Sequence, residues 1–224
     1  MNDLFLGITS VQLHLLLKGV LTTLSLAGGG VAIGLVLGTL FGVVSSRRLW
    51  HPVISPLIRA YVFVIQGTPV FVQILLIYFA LPDLWGGSLS PATAVLIALG
   101  GNSTAYIAQI VRGGINSIPR GQWEAAFVLG YSTPGTLWHI IFPQTLKTTL
   151  PALLNEVISL VKETSIVGAI GVCDVTFVIR KTVDRTMEPL FWYLCAALIY
   201  LVITSLLGMG ARAVERSLEY DERH

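Results

Sequence analysis

Charge is scarce in this sequence. Asp, Glu, Lys and Arg make up 12% of its 224 residues, about half the share in an ordinary soluble domain. That scarcity excludes a disordered chain, which is rich in charge and poor in apolar residues, and it argues against a soluble enzyme. The formal net charge of +2 is too small to suggest nucleic-acid binding. The two cysteines, Cys173 and Cys195, lie in apolar surroundings without metal-ligand spacing, so neither a disulfide framework nor a zinc site is implied. Both read as packing residues.

Catalytic signatures are missing as well. There is no G-x-x-x-x-G-K-S/T run, and neither Lys147-Thr148 nor Lys181-Thr182 has the preceding glycine, so the chain has no phosphate-binding loop of its own. H-E-x-x-H is absent, and His14, His51, His139 and His224 are scattered. No G-x-S-x-G elbow occurs, since Gly101-Asn102-Ser103 is followed by Thr104 and Ala105. The expectation is a protein that is not an enzyme, with no metal and no cofactor of its own.

What is abundant is apolar: 54% of the residues are hydrophobic and the mean hydropathy is +0.78. A membrane-spanning helix needs about 20 mostly apolar residues. Five stretches qualify, at roughly 19–45, 57–82, 90–111, 144–171 and 190–211. The expectation is an all-α integral membrane protein with five transmembrane helices, its residues 1–224 forming a single domain. Asp3 in place of a basic run, with no small-residue cleavage site after a short apolar core, argues against a cleavable signal peptide.

Basic residues set the orientation. Arg47, Arg48, Arg59, Arg112, Arg120, Arg212, Arg216 and Arg223 fall on one side of a five-span chain, and Lys18, Arg180, Lys181 and Arg185 on the other. This places the N-terminus outside and the C-terminus in the cytoplasm. Asp174, Asp184 and Glu188 are expected to offset the cluster at 180–185.

Several features interrupt the apolar background. Gly30, Gly34, Gly38 and Gly42 recur every four residues, a stripe along which another helix can approach closely. Gln66-Gly67-Thr68-Pro69 predicts a kink in span two, because proline removes a helical hydrogen bond and crowds the carbonyl of Ile65. Span three holds a polar patch from Gly100 to Tyr106 that either bonds across helices or lines a solute path. Span four carries Asn155, Glu156, Lys162, Glu163, Thr164 and Ser165. Charges at this depth cost about 2.5–3.5 kcal/mol each on insertion scales, so they mark either a functional site or a self-compensating set. Glu156 and Glu163 are two turns apart and share a face, with Lys162 displaced from it.

The connection at 112–143 is cytoplasmic by the charge distribution. Pro119 suits a helix start, Gln122 through Leu129 are good helix formers, and Gly130 suits a C-terminal stop. A second short helix is predicted from about Pro134 to Ile141, ending at Phe142-Pro143. Trp123, Phe127, Leu129, Trp138 and Phe142 are large apolar groups in this connection and call for a docking partner.

Glu124-Ala125-Ala126, then Gly130, Ile140 and Pro143 at their spacing, resembles the E-A-A-x3-G-x9-I-x-L-P loop of ABC importer permeases of type I, with Phe142 in place of Leu. Gln66-Gly67-Thr68-Pro69, Asn102-Ser103 with Ala105-Tyr106, Arg112-Gly113-Gly114-Ile115, Ile158-Ser159-Leu160 and Lys162-Glu163-Thr164-Ser165 are similar to the polar amino-acid uptake permeases of that superfamily. The likeness runs from about residue 19 to 215. That family usually has Arg where this chain has Gln66 and Glu where it has Gln109, so no charge-dependent role is carried to either position.

The resemblance implies a subunit of the bacterial cytoplasmic (inner) membrane. It implies pairing with a second permease chain, identical or related, two cytoplasmic ATP-binding cassette ATPase subunits that hold the ATP, and an extracytoplasmic solute-binding protein. The 112–143 segment would be the coupling (EAA) loop: Glu124 would contact the ATPase, Ala125 and Ala126 would permit close approach, Gly130 would make the turn, and Ile140 and Pro143 would complete the motif. Asn102, Ser103, Glu156, Glu163, Thr164 and Ser165 would line the substrate path. Two carboxylates on one face suggest a cationic amino acid such as arginine, while Lys162 could satisfy one and leave a site for glutamine. Two rival classes are an ion-gradient-driven secondary transporter and a non-transporting structural subunit.

Overall fold

A computed structural model describes residues 10–84 and 86–221; Asp3, Arg223 and His224, used above, lie outside them. The described residues contain helices and no strand. The order is α1 (Ser10–Val44), α2 (Ile54–Gln66), α3 (Val70–Leu75), α4 (Pro91–Ser117), α5 (Arg120–Val128), α6 (Thr133–Thr136), α7 (Phe142–Glu163), α8 (Val175–Thr186) and α9 (Pro189–Asp221). Helix α3 continues through π and 3-10 turns to Leu84, and a 3-10 turn follows α7 from Thr164 to Ile170. Segments Val11–Val44, Pro91–Ser117 and Pro189–Ser217 are each long and apolar enough to cross a membrane, and the bent pair Ile54–Gln66 and Val70–Leu84 passes the same test as a unit.

The glycine stripe organises the bundle. A Cβ on Gly30 would lie 3.1 Å from Leu99, on Gly34 2.5 Å from Ser103, on Gly38 2.8 Å from Ile107 and on Gly42 2.7 Å from Val111. Real side chains do not come this close, so α1 and α4 touch through glycine. Both sets of numbers rise by four, so the two helices run parallel and in register. Their C-terminal ends are tied where the Arg47 N–H donates to Asn116 Oδ1 (2.9 Å). Parallel neighbours oblige residues 45–90 to carry the chain back to the other end.

The return is made through a break, not the expected kink. Helices α2 and α3 are bent by 104°, with Pro69 in extended backbone (ψ 133°). Two effects combine: Pro69 lacks an N–H and disfavours a helical residue before it, and Gly67 is a poor helix former. The side chain of Gln73 repairs the break. Its amide donates to Ile65 O (2.9 Å), Thr68 O (3.1 Å) and Thr68 Oγ1 (2.9 Å), so freed carbonyls keep a partner in apolar surroundings.

Helix α7 runs back along α4: Gly114 meets Thr145 and Thr149, whereas Leu160 reaches Gly30 beside Leu99. In turn α9 opposes α7, because Gly208 faces Ile158 while Tyr200 interacts with Thr164. Helices α1, α4 and α9 therefore share one direction and α7 the opposite one. Ser90 caps α4 by accepting from the Thr93 N–H (3.1 Å), with Pro91 at the first turn.

Three expectations are corrected. Phe142-Pro143 does not end a helix, since α6, a π turn at Leu137–Ile141 and α7 follow one another without a gap. The Phe142 N–H reaches back to Leu137 O, and the wider turn lets Pro143 sit at the start of α7. Trp123 is not an exposed docking group: it is 2% exposed, in a core with Ile107, Val111, Ile115, Ile141 and Leu153. Cys195 packs against the α8–α9 core, but Cys173 is exposed.

Replacing Gly38 by leucine should lower the stability of the purified protein by about 1–3 kcal/mol or more, the usual cost of overpacking. Gly28, beside which a Cβ has nothing within 4 Å, should accept alanine with no loss in a thermal melt.

Candidate functional site

Two regions carry the residues singled out by the sequence. The first lies between α4 and α7. Ser103 is fully buried, its hydroxyl against Gly34. Glu156 is half-buried and interacts with Ser103 and, electrostatically, with Glu163. Glu163 feels the charge of Lys162, yet Lys162 is exposed and no ion pair forms between it and either carboxylate among the described residues. Buried atoms without a hydrogen-bond partner include Asn102 Oδ1 and Glu163 Oε2. Polar atoms left in this state inside a bundle cost about 1–3 kcal/mol each, so this layer is built around unmet polar capacity.

The six path residues are only partly brought together. Asn102 and Ser103 are buried on α4, and Glu156 and Glu163 share the inner side of α7. Thr164 turns back onto its own helix, donating to Val161 O (2.7 Å). Ser165 faces elsewhere, into a cavity of about 220 Å³ shared with Phe71, Phe177 and Arg180. Thr104 donates to Gly100 O of its own helix (2.7 Å), and it is the backbone carbonyls of the span-three patch that bond across helices. Tyr61 Oη donates to Gly101 O (2.5 Å), and the Gln66 amide to Ala105 O (3.5 Å).

The second region is the α5–α6 connection. Pro119 precedes α5, and Gly130 has φ +82°, a conformation for which glycine is suited. The Tyr131 N–H bonds Ala126 O (3.0 Å) across this turn, the six-to-one closure that ends many helices. Glu124 is exposed and paired with Arg120 one turn earlier. Ala125 faces outward, while Ala126 is buried against the protein's own core. Val128 and Leu129 are 87% and 74% exposed, and Phe127 and Trp138 are exposed as well. Ile140 and Pro143 line a cavity of about 600 Å³ with His139 and Lys147.

A third cluster went unread in the sequence. Asp174 is fully buried. Its carboxylate caps α8, accepting from Phe177 N–H (2.9 Å) and Thr176 N–H (3.1 Å), and accepts a further bond from Tyr200 Oη (3.2 Å). Its backbone abuts Gly19 of α1, so one residue joins α1, α8 and α9. Asp174 therefore does not offset the basic cluster as expected. Arg180 instead donates to Gly168 O (2.9 Å), and Lys181 approaches Asp184 at 4.0 Å. The signal in the sequence was an aspartate immediately before a helical run; the long-range Tyr200 contact left none.

Residues 30–220 match the family described as the binding-protein-dependent transport system inner membrane component. The chain belongs to this family. It is 35% identical to the arginine transport system permease protein ArtQ of Bacillus subtilis, over 96% of this chain and 97% of the relative. It is also 35% identical to the glutamine transport system permease protein GlnP of Escherichia coli, over 92% and 93%. Among solved structures it superposes with a TM-score of 0.82 and 35% identity on one described as an amino acid ABC transporter with histidines, covering 91% of this chain and 94% of the other. The family is one of membrane permease components of binding-protein-dependent transport, so the chain is a transport subunit and not an enzyme.

Asp174→Ala should destabilise the protein by about 0.5–2 kcal/mol, the usual cost of losing a helix cap. Asp174→Asn, which keeps a capping oxygen, should recover most of that loss, and thermal melts of the two variants decide the point.

Proposed function

We propose that the chain is the permease subunit of an ATP-driven importer of a polar amino acid, with five membrane crossings and its N-terminus outside. The alternating directions of α1, the bent pair, α4, α7 and α9 support five crossings. The basic residues Arg47, Arg48, Arg112 and Arg120 at the shared end of α1 and α4 support a cytoplasmic placement of that end. The whole chain acts as one transmembrane unit, pairs with a second permease chain, and leaves ATP to cassette ATPase partners while an outer binding protein delivers the solute.

The observation that carries this reading is the set of apolar side chains exposed at the end where α1 and α4 terminate: Phe127, Val128 and Leu129 ahead of the turn fixed by Gly130, and Trp138 after it. Exposed apolar patches of this kind mark protein docking sites. The α5–α6 segment is the coupling loop: ATPase closure displaces it, and α4 and α7, anchored on either side of it, are driven between inward-open and outward-open states. Glu124, paired with Arg120, presents a charge at the contact. Ala125 lets the ATPase approach, Ala126 holds the loop to the core, and Ile140 and Pro143 brace its far side.

Solute passes along the layer holding Asn102, Ser103, Glu156 and Glu163; Thr164 and Ser165 follow Glu163 in the chain but face away from it. The half-buried, unpaired carboxylates favour a cationic amino acid such as arginine, with glutamine as the neutral alternative that Ser103 and Asn102 would suit.

The test is uptake of labelled arginine, glutamine and histidine into proteoliposomes holding the permease, its ATPase and its binding protein. ATP-dependent uptake of one of them is expected, and uptake that ignores ATP would overturn the importer reading. Gly130→Val, which forces a β-branched residue to positive φ, should leave ATP hydrolysis measurable while uptake falls; unchanged uptake would remove the coupling role. Glu156→Gln should reduce arginine uptake relative to glutamine by at least about tenfold, in line with about 1.5–3 kcal/mol for a charge-assisted contact. An unaltered preference would remove the anionic site.

A further inference from the structure

A cavity of about 330 Å³ between α2 and α4 is lined by Arg59, Arg112, Gln66, Gln109 and Phe63. Two arginines line it, and neither is ion-paired among the described residues. Arg59 is held from behind, its Cζ 4.2 Å from the ring centroid of Trp50, a cation–π contact that fixes the group without neutralising it. Gln109 is exposed and offers an amide donor. Phe63, 78% exposed, continues the cavity wall onto the outer surface of α2.

The depth is informative. Arg59 lies five residues from the start of α2 and Arg112 five from the end of α4, about 7 Å inside each helix end. That is the thickness of the polar interface on one side of a bilayer, about 5–8 Å. Unpaired cations there, beside an outward apolar wall, match a molecule with an anionic head and a hydrocarbon tail. The site is also apart from the carboxylate layer. Nine residues separate Ser103 from Arg112, two and a half turns, so the two sit on opposite faces of α4.

We propose that this cavity binds the phosphate of an anionic phospholipid, gripped by Arg59 and Arg112, with its acyl chain along Phe63. The proposal needs α2 and α4 to lie in the bilayer and is independent of which solute is carried.

Native mass spectrometry of the purified permease–ATPase complex, incubated with equal amounts of phosphatidylglycerol and phosphatidylcholine, tests it. Preferential retention of phosphatidylglycerol is expected. The R59Q/R112Q variant should lose about tenfold or more of that preference, given the usual attraction of each basic side chain to an anionic surface. R59K/R112K should keep most of it, and R47Q, a charge change at the same end outside the cavity, should leave it unaltered. Gln109→Glu places a carboxylate in the cavity through an exposed position and should abolish the preference even if the double glutamine variant fails to fold. Equal retention by wild type, or preference unchanged in both R59Q/R112Q and Gln109→Glu, would overturn the site. Displacement of the lipid by inorganic phosphate alone would overturn the lipid assignment in favour of a free anion.

Discussion

The close approach of α1 to α4 is the contact on which the rest of the fold depends. Between parallel helices there is no short connection, so the glycine stripe that permits this contact also dictates a long return through residues 45–90. That return is helical over Ile54–Gln66 and Val70–Leu84, and it is broken at Gly67–Pro69, where α3 leaves α2 at 104° on its way to the start of α4. A break inside a bilayer is tolerable only if its carbonyls are bonded, and Gln73 supplies the donors. The stripe and Gln73 are thus two parts of one solution, one permitting the approach and the other making its topological consequence affordable.

The two ends of the bundle are built to opposite specifications. At the end of Asp174, a buried carboxylate caps α8 and holds Tyr200 of α9 while the backbone of the same residue packs on Gly19 of α1, so three helices meet at one residue. At the other end the helices finish in surfaces left open, with apolar side chains exposed on α5 and on the π turn after α6 and guanidinium groups unpaired between α2 and α4. A locked end and an unsatisfied end suit a protein that takes its mechanical input from one side. The half-buried carboxylates of α7 lie between them, where a shift of α7 against α4 alters their surroundings most directly.

Much of this was legible in the sequence because it rests on local periodicity. The four-residue glycine repeat, the apolar runs, the helix start at Pro119 and the positive-φ stop at Gly130 are signals carried within a few residues. What escaped depends on residues far apart in the chain. A kink was expected at Pro69 because proline acts locally, whereas the size of the bend is set by where α4 must begin. Trp123 read as exposed because it lies in the connection between spans, but it shares a core with Ile141 of the π turn ahead of α7. In the site, Glu156 and Ser103 could be nominated separately as polar residues in apolar helices. Their meeting required the antiparallel register of α4 and α7, fixed by Gly114 against Thr145 and Thr149. Asp174 was taken as a counter-charge for Arg180 because the two are near in sequence, yet the helix N-terminus competes for the carboxylate and wins.

That competition explains why the cations of the two ends have such different fates. Arg180 finds a carbonyl and an aromatic face within its own neighbourhood, so it is satisfied without any carboxylate. Arg59 also finds an aromatic face, but an aromatic ring does not cancel a full charge, and Arg112 finds neither. An unpaired guanidinium within a bundle is costly unless water, a partner chain or lipid meets it. Lipid is the proposed partner here, because the outer wall at Phe63 is exposed on α2 and does not depend on contact with α7. The same geometry that keeps the cavity on the opposite face of α4 from Ser103 therefore allows the bilayer to hold α2 and α4 at their ends while α7 moves behind them.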